Sequence, residues 1–204
     1  MSSEFDQLVR LLPPPSGEVA GAPWQLSRPE IGLDFPADFR EFVDRYGGGD
    51  VVRADGSVSM SIYGLHSGES RPGSGRGFSA LMKLQEEQIR PSFVFDGATE
   101  DYWGGTVYPV QPDPGGLLAW GENLDGDIFF WLTEDPDPDR WPVVMWARGP
   151  ATTYRFDGGM VPFLVSVFTD AHPDVGWLAG PGLAWVMRQD WLGRDLSESA
   201  GAGA

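Results

Sequence analysis

Four apolar segments joined by short connections constrain the fold more than any other feature of this sequence. They are rich in aromatic and β-branched residues, as strands are, and they span residues 116–121, 127–133, 141–147 and 152–156. Connections of a few residues are too short for the crossovers that parallel strands need. The spacing therefore predicts an antiparallel meander.

Three further segments are predicted as strands. Val58, Met60 and Ile62 alternate with serines, which is typical of a strand with one buried face. The short apolar runs at 93–95 and 105–110 complete the set.

Helical spacing of apolar residues predicts helices elsewhere. The segments with this spacing are 3–12, 35–46, 78–90 and 159–169. The β-branched residues of the last segment leave a strand open there. The apolar stretch at 182–193 is predicted to form a short helix.

The clearest helix lies between Phe35 and Tyr46. Its apolar residues share one face, while Asp38, Arg40, Glu41 and Asp44 take the other. Asp34 or its neighbour is expected to cap the start, and Pro36 to lie in the first turn. Gly47, Gly48 and Gly49 are interpreted as the stop of the helix.

These elements predict an α+β fold in a single domain, with a twisted, mainly antiparallel sheet flanked by helices. We expect an N-terminal helix and connector at 1–30 and the α+β domain at 31–172. A C-terminal helical extension is expected at 173–196, and a disordered tail at 197–204.

The charge of the chain points to the kind of partner. Its 204 residues include 30 Asp plus Glu against 14 Lys plus Arg, and the formal net charge is −16. Lys83 is the single lysine. Such a surface repels nucleic acid and anionic lipid, so we expect neither as a direct partner, and a basic protein is favoured. An acidic balance that only maintains solubility is the alternative.

The chain has no cysteine, which excludes disulfides, thiolate catalysis and cysteine-based zinc sites. No apolar run is long enough for a membrane span, and the acidic N-terminus does not have the pattern of a signal peptide. A cytoplasmic location is predicted.

The acidic segment after Trp120 raises the question of chemistry. Glu122, Asp125 and Asp127 could form a carboxylate pair or a metal-assisted hydrolase site. The spacing does not fit an EF-hand calcium loop. Asp-Gly is a preferred pair for a tight hairpin turn, so Asp125, Gly126 and Asp127 are interpreted as a structural turn. Asp127 is expected to accept hydrogen bonds from backbone N–H groups there.

A second acidic run, Asp135 to Asp139, alternates carboxylates with prolines and is predicted to be a solvated loop between strands. Its carboxylates are expected to remain available to a basic partner. No metal or cofactor site is predicted. The two histidines, His66 and His172, lie near element ends without a nucleophile motif, so an enzyme is disfavoured.

Several of these residues carry a resemblance to a known family. They are Pro36, Phe39, Phe42, Tyr46, Gly47 and Gly48 in the first segment, Gly121, Gly126, Asp127, Phe129 and Trp131 in the hairpin, and Phe163 with Leu164 near the end. In this pattern, which covers about residues 35–169, the sequence resembles the SUKH superfamily, the yeast cell-wall-assembly-regulator-like family. Gly47 stands where the family usually has asparagine.

The resemblance implies an α+β fold and a protein that binds others without catalysis of its own. Many bacterial members are immunity proteins that neutralise toxin domains, often nucleases or deaminases, and fungal members are regulatory scaffolds. The first hypothesis is therefore an immunity protein that binds a basic cognate toxin. A regulatory scaffold and a hydrolase using Glu122, Asp125 and Asp127 are the alternatives. The residues predicted to bind the partner are Glu134, Asp135, Asp137, Asp139, Trp103 and Trp141.

Overall fold

The computed structural model describes residues 3–64, 78–93, 107–172 and 175–189. Its strands are β1 Gly48–Val52, β2 Val58–Ile62, β3 Leu117–Glu122, β4 Ile128–Leu132, β5 Val143–Ala147, β6 Thr152–Phe156 and β7 Ala184–Gln189. Its α-helices are α1 Ser3–Leu11, α2 Ser27–Ile31, α3 Ala37–Tyr46, α4 Phe78–Leu84, α5 Arg90–Phe93 and α6 Met160–Phe168. A π-helical turn, Gln85–Ile89, joins α4 to α5, and 3-10 turns lie at Trp24–Leu26, Pro138–Arg140 and Gly176–Leu178.

The strands form one sheet in the order β6-β5-β4-β3-β2-β1-β7, and every neighbouring pair is antiparallel. β1 to β6 follow one another as a meander, and the chain then returns across the sheet to place β7 beside β1. The predicted α+β class and antiparallel sheet are confirmed.

Both faces of the sheet are covered. Phe129 and Trp131 of β4 pack into a core with α1, α3 and α6, whereas Phe130 and Leu132 pack with α4 and α5 on the opposite face. Successive side chains of a strand point to opposite faces, so a strand covered on both sides is apolar throughout. This explains the uninterrupted apolar runs of β4 and β5.

The sequence prediction missed β1. Gly47 does end α3, with a positive φ of 67°. Gly48 and Gly49 instead belong to strand β1, and neither of these two positions has room for a side chain. A Cβ on Gly48 would lie 2.5 Å from the backbone nitrogen of Gly64, and one on Gly49 would lie 2.3 Å from the carbonyl oxygen of Val186.

Three other predictions are corrected by the structure. The expected C-terminal helix is wrong for the described residues, because Ala184–Gln189 is strand β7. The expected strand at 93–95 is wrong at Phe93, which ends α5, and the rest of that segment lies outside the described residues. The strand expected at 105–110 is wrong for the described residues, because 107–109 belong to no strand and Val110 makes only an isolated bridge to Leu117. Residues 105 and 106 lie outside the described residues.

The N-terminal connector contains more structure than expected. It carries a 3-10 turn and α2. The exposed carboxylate of Asp44 on α3 accepts hydrogen bonds from the indole N–H of Trp24 (2.9 Å) and from the backbone of Ala22 (3.0 Å). The connector is therefore fastened to α3.

Candidate functional site

The acidic loop, residues 133–142, connects β4 to β5, and its carboxylates are more committed to internal contacts than the sequence suggested. Glu134 pairs with Arg155 of β6 at 3.0 Å. Asp135 accepts a hydrogen bond from the backbone of Asp137 (2.9 Å) and lies 3.3 Å from the guanidinium of Arg140. These carboxylates, which the sequence predicts to be available to a basic partner, thus also have partners within the chain.

Asp137 and Asp139 set the conformation of the loop. The Asp137 carboxylate accepts the backbone N–H of Asp139 (3.1 Å) and so caps the 3-10 turn Pro138–Arg140. Asp139 accepts the backbone N–H of Ala37, the first residue of α3. Both side chains are otherwise exposed. Asp137 is the carboxylate of this loop that is bonded only to its own turn.

This arrangement also corrects the predicted cap of α3. Pro36 precedes the helix as its cap residue and makes no side-chain cap hydrogen bond. Asp34 accepts instead from the guanidinium of Arg28 (2.7 Å). Asp139, which lies 102 residues after Ala37, accepts the backbone N–H of Ala37 and so takes the capping role.

Asp38, on the first turn of α3, extends the same chain of contacts to α6. One of its oxygens accepts the backbone N–H of Phe39 (2.7 Å), and the other accepts that of Val161 (2.9 Å) near the start of α6. Burial raises the pKa of Asp38, and the nearby charge of Asp139 raises it further, against the lowering effect of these backbone bonds. Asp139 thus holds the acidic loop at the start of α3, and Asp38 joins the start of α3 to the start of α6.

Of the two predicted aromatic contact residues, the one that the structure describes is buried. Trp141 is only 4% exposed, and its indole N–H donates to the carbonyl oxygen of Asp135 at 2.7 Å. Its ring packs in the hydrophobic core at the base of the loop. Trp103 lies outside the described residues.

The acidic loop forms one wall of a cleft of about 410 Å³, which we call the acidic cleft. The opposite wall is the segment from Arg28 to Asp34. Carboxylates of Asp34, Glu134 and Asp135 line it, and Arg28 is the guanidinium among its lining residues. Arg28 is paired with Asp34 (2.6 Å) but remains 65% exposed.

The first acidic segment is a turn, as the sequence predicted. Gly126 has a positive φ of 85°, and its N–H donates to the carbonyl oxygen of Asn123 (3.2 Å). Asp127 is buried and accepts hydrogen bonds from the Asn123 side chain (2.8 Å) and from the backbone of Arg148 (2.9 Å) in the next hairpin. Asp127 therefore joins two turns.

The alternative hydrolase residues are not arranged around a common pocket. Asp125 is exposed at the tip of the turn, Asp127 is occupied by the bonds just described, and Glu122 is half-buried on β3. Among residues 3–64, 78–93, 107–172 and 175–189, no group of three or more His, Cys, Asp or Glu residues has an arrangement that could hold a metal ion. His66 lies outside the described residues.

A model of the SMI1/KNR4 family (SUKH-1) matches residues 28–164, two thirds of the chain. The chain belongs to the SMI1/KNR4 family. No curated protein and no solved structure matches it. The family match spans α2 to the first half of α6, so it contains the acidic cleft and excludes α1 and β7.

Within this SMI1/KNR4 protein, the described helices are all too short or too polar to cross a bilayer. Sequence reasoning missed Asp38 and the capping role of Asp139, since both contacts join segments that are far apart in the chain. The alternation of Asp and Pro predicts an extended chain, but the loop instead contains the 3-10 turn Pro138–Arg140.

Proposed function

We propose that this SMI1/KNR4 protein acts in the cytoplasm as a non-catalytic immunity protein, and that its acidic cleft receives a basic surface of a cognate toxin domain. The observation that carries the proposal is the concentration of carboxylates around the cleft and along the exposed side of the acidic loop. Asp34, Glu134 and Asp135 line the cleft, and Asp137 is exposed beside it.

The internal ion pairs of the cleft are of the kind that a partner can replace. The side chains of Arg28 and Arg140 are 65% and 72% exposed, respectively. Ion pairs at such exposure contribute about 0–1 kcal/mol, because water and salt screen them. A lysine or arginine of a partner can therefore exchange with them at little cost.

Rigidity supports the same proposal. The loop is held by Asp139 at α3, by Glu134 at β6 and by Trp141 in the core, so its backbone is ordered before any partner arrives. A preformed surface loses less conformational entropy on binding than a flexible loop does.

A nuclease is the class of toxin that fits this surface best. An enzyme that grips nucleic acid carries a basic groove, and an acidic protein with net charge −16 would be steered toward it. Occupying that groove would block the substrate. The association should weaken as salt increases, because exposed charges are screened.

The test is co-expression with toxin domains encoded beside the gene, followed by binding measurements with the purified pair. We expect protection of the cell, co-purification, and slower association at high salt. Asp137→Asn and Glu134→Gln should together slow association roughly tenfold, while Glu86→Gln on the exposed side of the π-helical turn should not.

Two results would overturn the proposal. One is that no neighbouring toxin is bound or neutralised, and the other is binding that responds to Glu86→Gln as strongly as to the acidic-loop variants. Capture of a regulatory complex in place of a toxin would point to the scaffold role known in fungal members of the family.

A further inference from the structure

A second surface lies at the other end of the sheet. Because neighbouring strands are antiparallel, the β3–β4 and β5–β6 turns lie at the end opposite the acidic loop. The 3-10 turn Gly176–Leu178 packs beside them, since the indole nitrogen of Trp177 lies 3.4 Å from a carboxylate oxygen of Asp127. We call residues 123–127, 148–151 and 176–178 the hairpin tip.

The hairpin tip exposes two large apolar side chains. Leu124 is 80% exposed, the highest value among the large apolar residues of the described part of the chain, and Trp177 is 46% exposed. Both are linked to the Asp127 carboxylate: the indole N–H of Trp177 donates to its Oδ2, and so does the side chain of Asn123, the residue before Leu124.

Trp177 is held in position. Its carbonyl oxygen accepts a hydrogen bond from Arg53 (2.9 Å), and its ring lies edge-on to that of Tyr154 at 6.3 Å. An exposed tryptophan fixed in this way loses little side-chain entropy when it is covered, and tryptophan is the residue type most enriched at the energetic centres of interfaces.

Opposite charges flank this apolar surface. Asp125 and Arg148 are both exposed. Arg148 folds over the turn, so that a Cβ on Gly126 would lie 3.1 Å from its Nη1. Within the described residues, neither the Asp125 carboxylate nor the Arg148 guanidinium has a side-chain ion pair or hydrogen bond.

We propose that the hairpin tip is a self-association surface, where two copies of the chain pack across a two-fold axis. Leu124 and Trp177 form the centre, and Asp125 of each copy faces Arg148 of the other. A two-fold interface must be self-complementary, and a patch that carries one unpaired carboxylate and one unpaired guanidinium beside an apolar centre meets that condition.

The charge of the whole chain favours this face over others. Two copies that each carry −16 repel one another at long range, and the acidic cleft would add to that repulsion. At the hairpin tip, by contrast, the unpaired charges of Asp125 and Arg148 cancel. Self-association there leaves the acidic cleft exposed at the far end of each copy, so this inference does not depend on the proposed function.

The dimer should be weak. Stable dimers bury about 800 Å² per partner, and two anchor side chains cover only part of such an area. Added salt screens both the long-range repulsion and the two Asp125–Arg148 contacts, but the repulsion involves the net charge of −16 on each copy, so added salt should strengthen the dimer while apolar contact persists. Binding at the acidic cleft has the opposite salt dependence, which separates the two surfaces.

Sedimentation equilibrium from micromolar to millimolar protein tests the proposal on the full chain. We expect concentration-dependent dimers that Leu124→Ser abolishes, whereas Leu26→Ser, at a 42% exposed leucine outside the hairpin tip, leaves them unchanged. Asp125→Arg and Arg148→Asp should each weaken the dimer roughly tenfold, because each turns two attractions into repulsions.

Mixing these two charge variants makes the decisive measurement. A heterodimer of Asp125→Arg with Arg148→Asp restores both opposite-charge contacts, so the mixture should associate as well as the wild type although neither variant does alone. Glu86→Arg and Arg40→Asp are matched charge controls away from the hairpin tip. A wild-type chain that stays monomeric throughout, or a mixture that fails to recover association, overturns the proposal.

Discussion

The indole N–H of Trp185, in β7, donates to the backbone carbonyl oxygen of Tyr46 at 2.8 Å. The Trp185 ring also meets Phe42 and Tyr46 edge-on, with centroids 5.3 and 5.7 Å away. On the other side, the Tyr46 hydroxyl donates to the carbonyl oxygen of Leu12, at the end of α1, at 2.6 Å. Burial raises the pKa of Tyr46 to about 12. Tyr46 thus bonds to Leu12 and to strand β7, which both lie outside the residues that match the family model.

We therefore expect Trp185→Phe to destabilise the fold. It keeps a ring but removes the N–H donor, which should lower the free energy of unfolding by about 1 kcal/mol. Trp185→Ala also removes the ring contacts and should cost about 2–4 kcal/mol. Urea unfolding measures both. Trp177→Phe is the control, because Trp177 is 46% exposed and its indole N–H makes only a long bond of 3.4 Å to Asp127. An equal loss in that variant would contradict the role given to Trp185.

Gln85 predicts a second stability effect. β2 pairs with β3 only at Glu122 and Gly121, so the first half of β3 lacks a strand on that side. The buried Gln85 side chain fills the position, accepting from the N–H of Ala119 and donating to the carbonyl oxygen of Leu117, both at 3.0 Å.

Gln85→Leu would leave the N–H of Ala119 buried without a partner, whereas the carbonyl oxygen of Leu117 keeps the hydrogen bond that it accepts from the N–H of Gln111 (3.1 Å). Since one such buried group costs about 1–3 kcal/mol, we expect a loss of that size in urea unfolding. The amide of Ala119 should also exchange its hydrogen faster. Glu86→Leu, an exposed neighbour, is the control. Unchanged exchange at Ala119 in the Gln85 variant would argue against the bridging role.

Asp38 predicts a specific pH dependence. Folding raises the pKa of Asp38 above its ordinary value of 3.8. At pH values between 3.8 and this raised pKa, the folded state therefore binds more protons than the unfolded state. The contribution of Asp38 to stability therefore falls as pH rises from about 4.

The measurement compares wild type with Asp38→Asn, in which this titration is absent. The advantage of wild type over the variant should shrink as pH rises from acidic to neutral values in urea unfolding. An advantage that grows with pH would mean that the bonds from Phe39 and Val161 outweigh burial.

Variants of Asp139 and Asp137 distinguish a carboxylate that stabilises the fold from one that is available for binding. Asp139→Ala removes the hydrogen bond to Ala37 at the start of α3 and should cost about 1 kcal/mol, as the loss of other helix caps does. Asp139→Asn keeps an acceptor oxygen and should cost less. Asp137→Asn, which keeps its local turn, should leave stability within about 0.5 kcal/mol of wild type. Thermal unfolding of the three variants checks this order.

The sequence predicted those parts of the fold that local patterns encode. The meander from β3 to β6 follows from apolar segments with short connections, and α3 from its amphipathic spacing. β7 was mistaken for a helix because a short apolar run has no decisive period. What makes it a strand is pairing with β1, more than a hundred residues earlier, and no local signal contains that pairing.

The candidate site was likewise predictable only where local patterns encode it. The turn at Asp125 and Gly126 was predictable because Asp-Gly selects that backbone shape. The acidic loop was located correctly, but its internal partners were not foreseen. Arg155 and Ala37 approach it only after the sheet and α3 have packed together. Tertiary contact, which sequence spacing does not show, decides which carboxylates remain available.

The pairing of β1 with β7 has a consequence for synthesis on the ribosome. β1 ends at Val52 and its outer partner ends at Gln189, so at about 5–20 residues per second β1 waits on the order of ten seconds for its neighbour. During that time its outer edge could pair with another nascent chain. Gly48, Gly49 and Asp50 are poor strand formers, so the sequence of β1 itself delays pairing until the correct strand has been made.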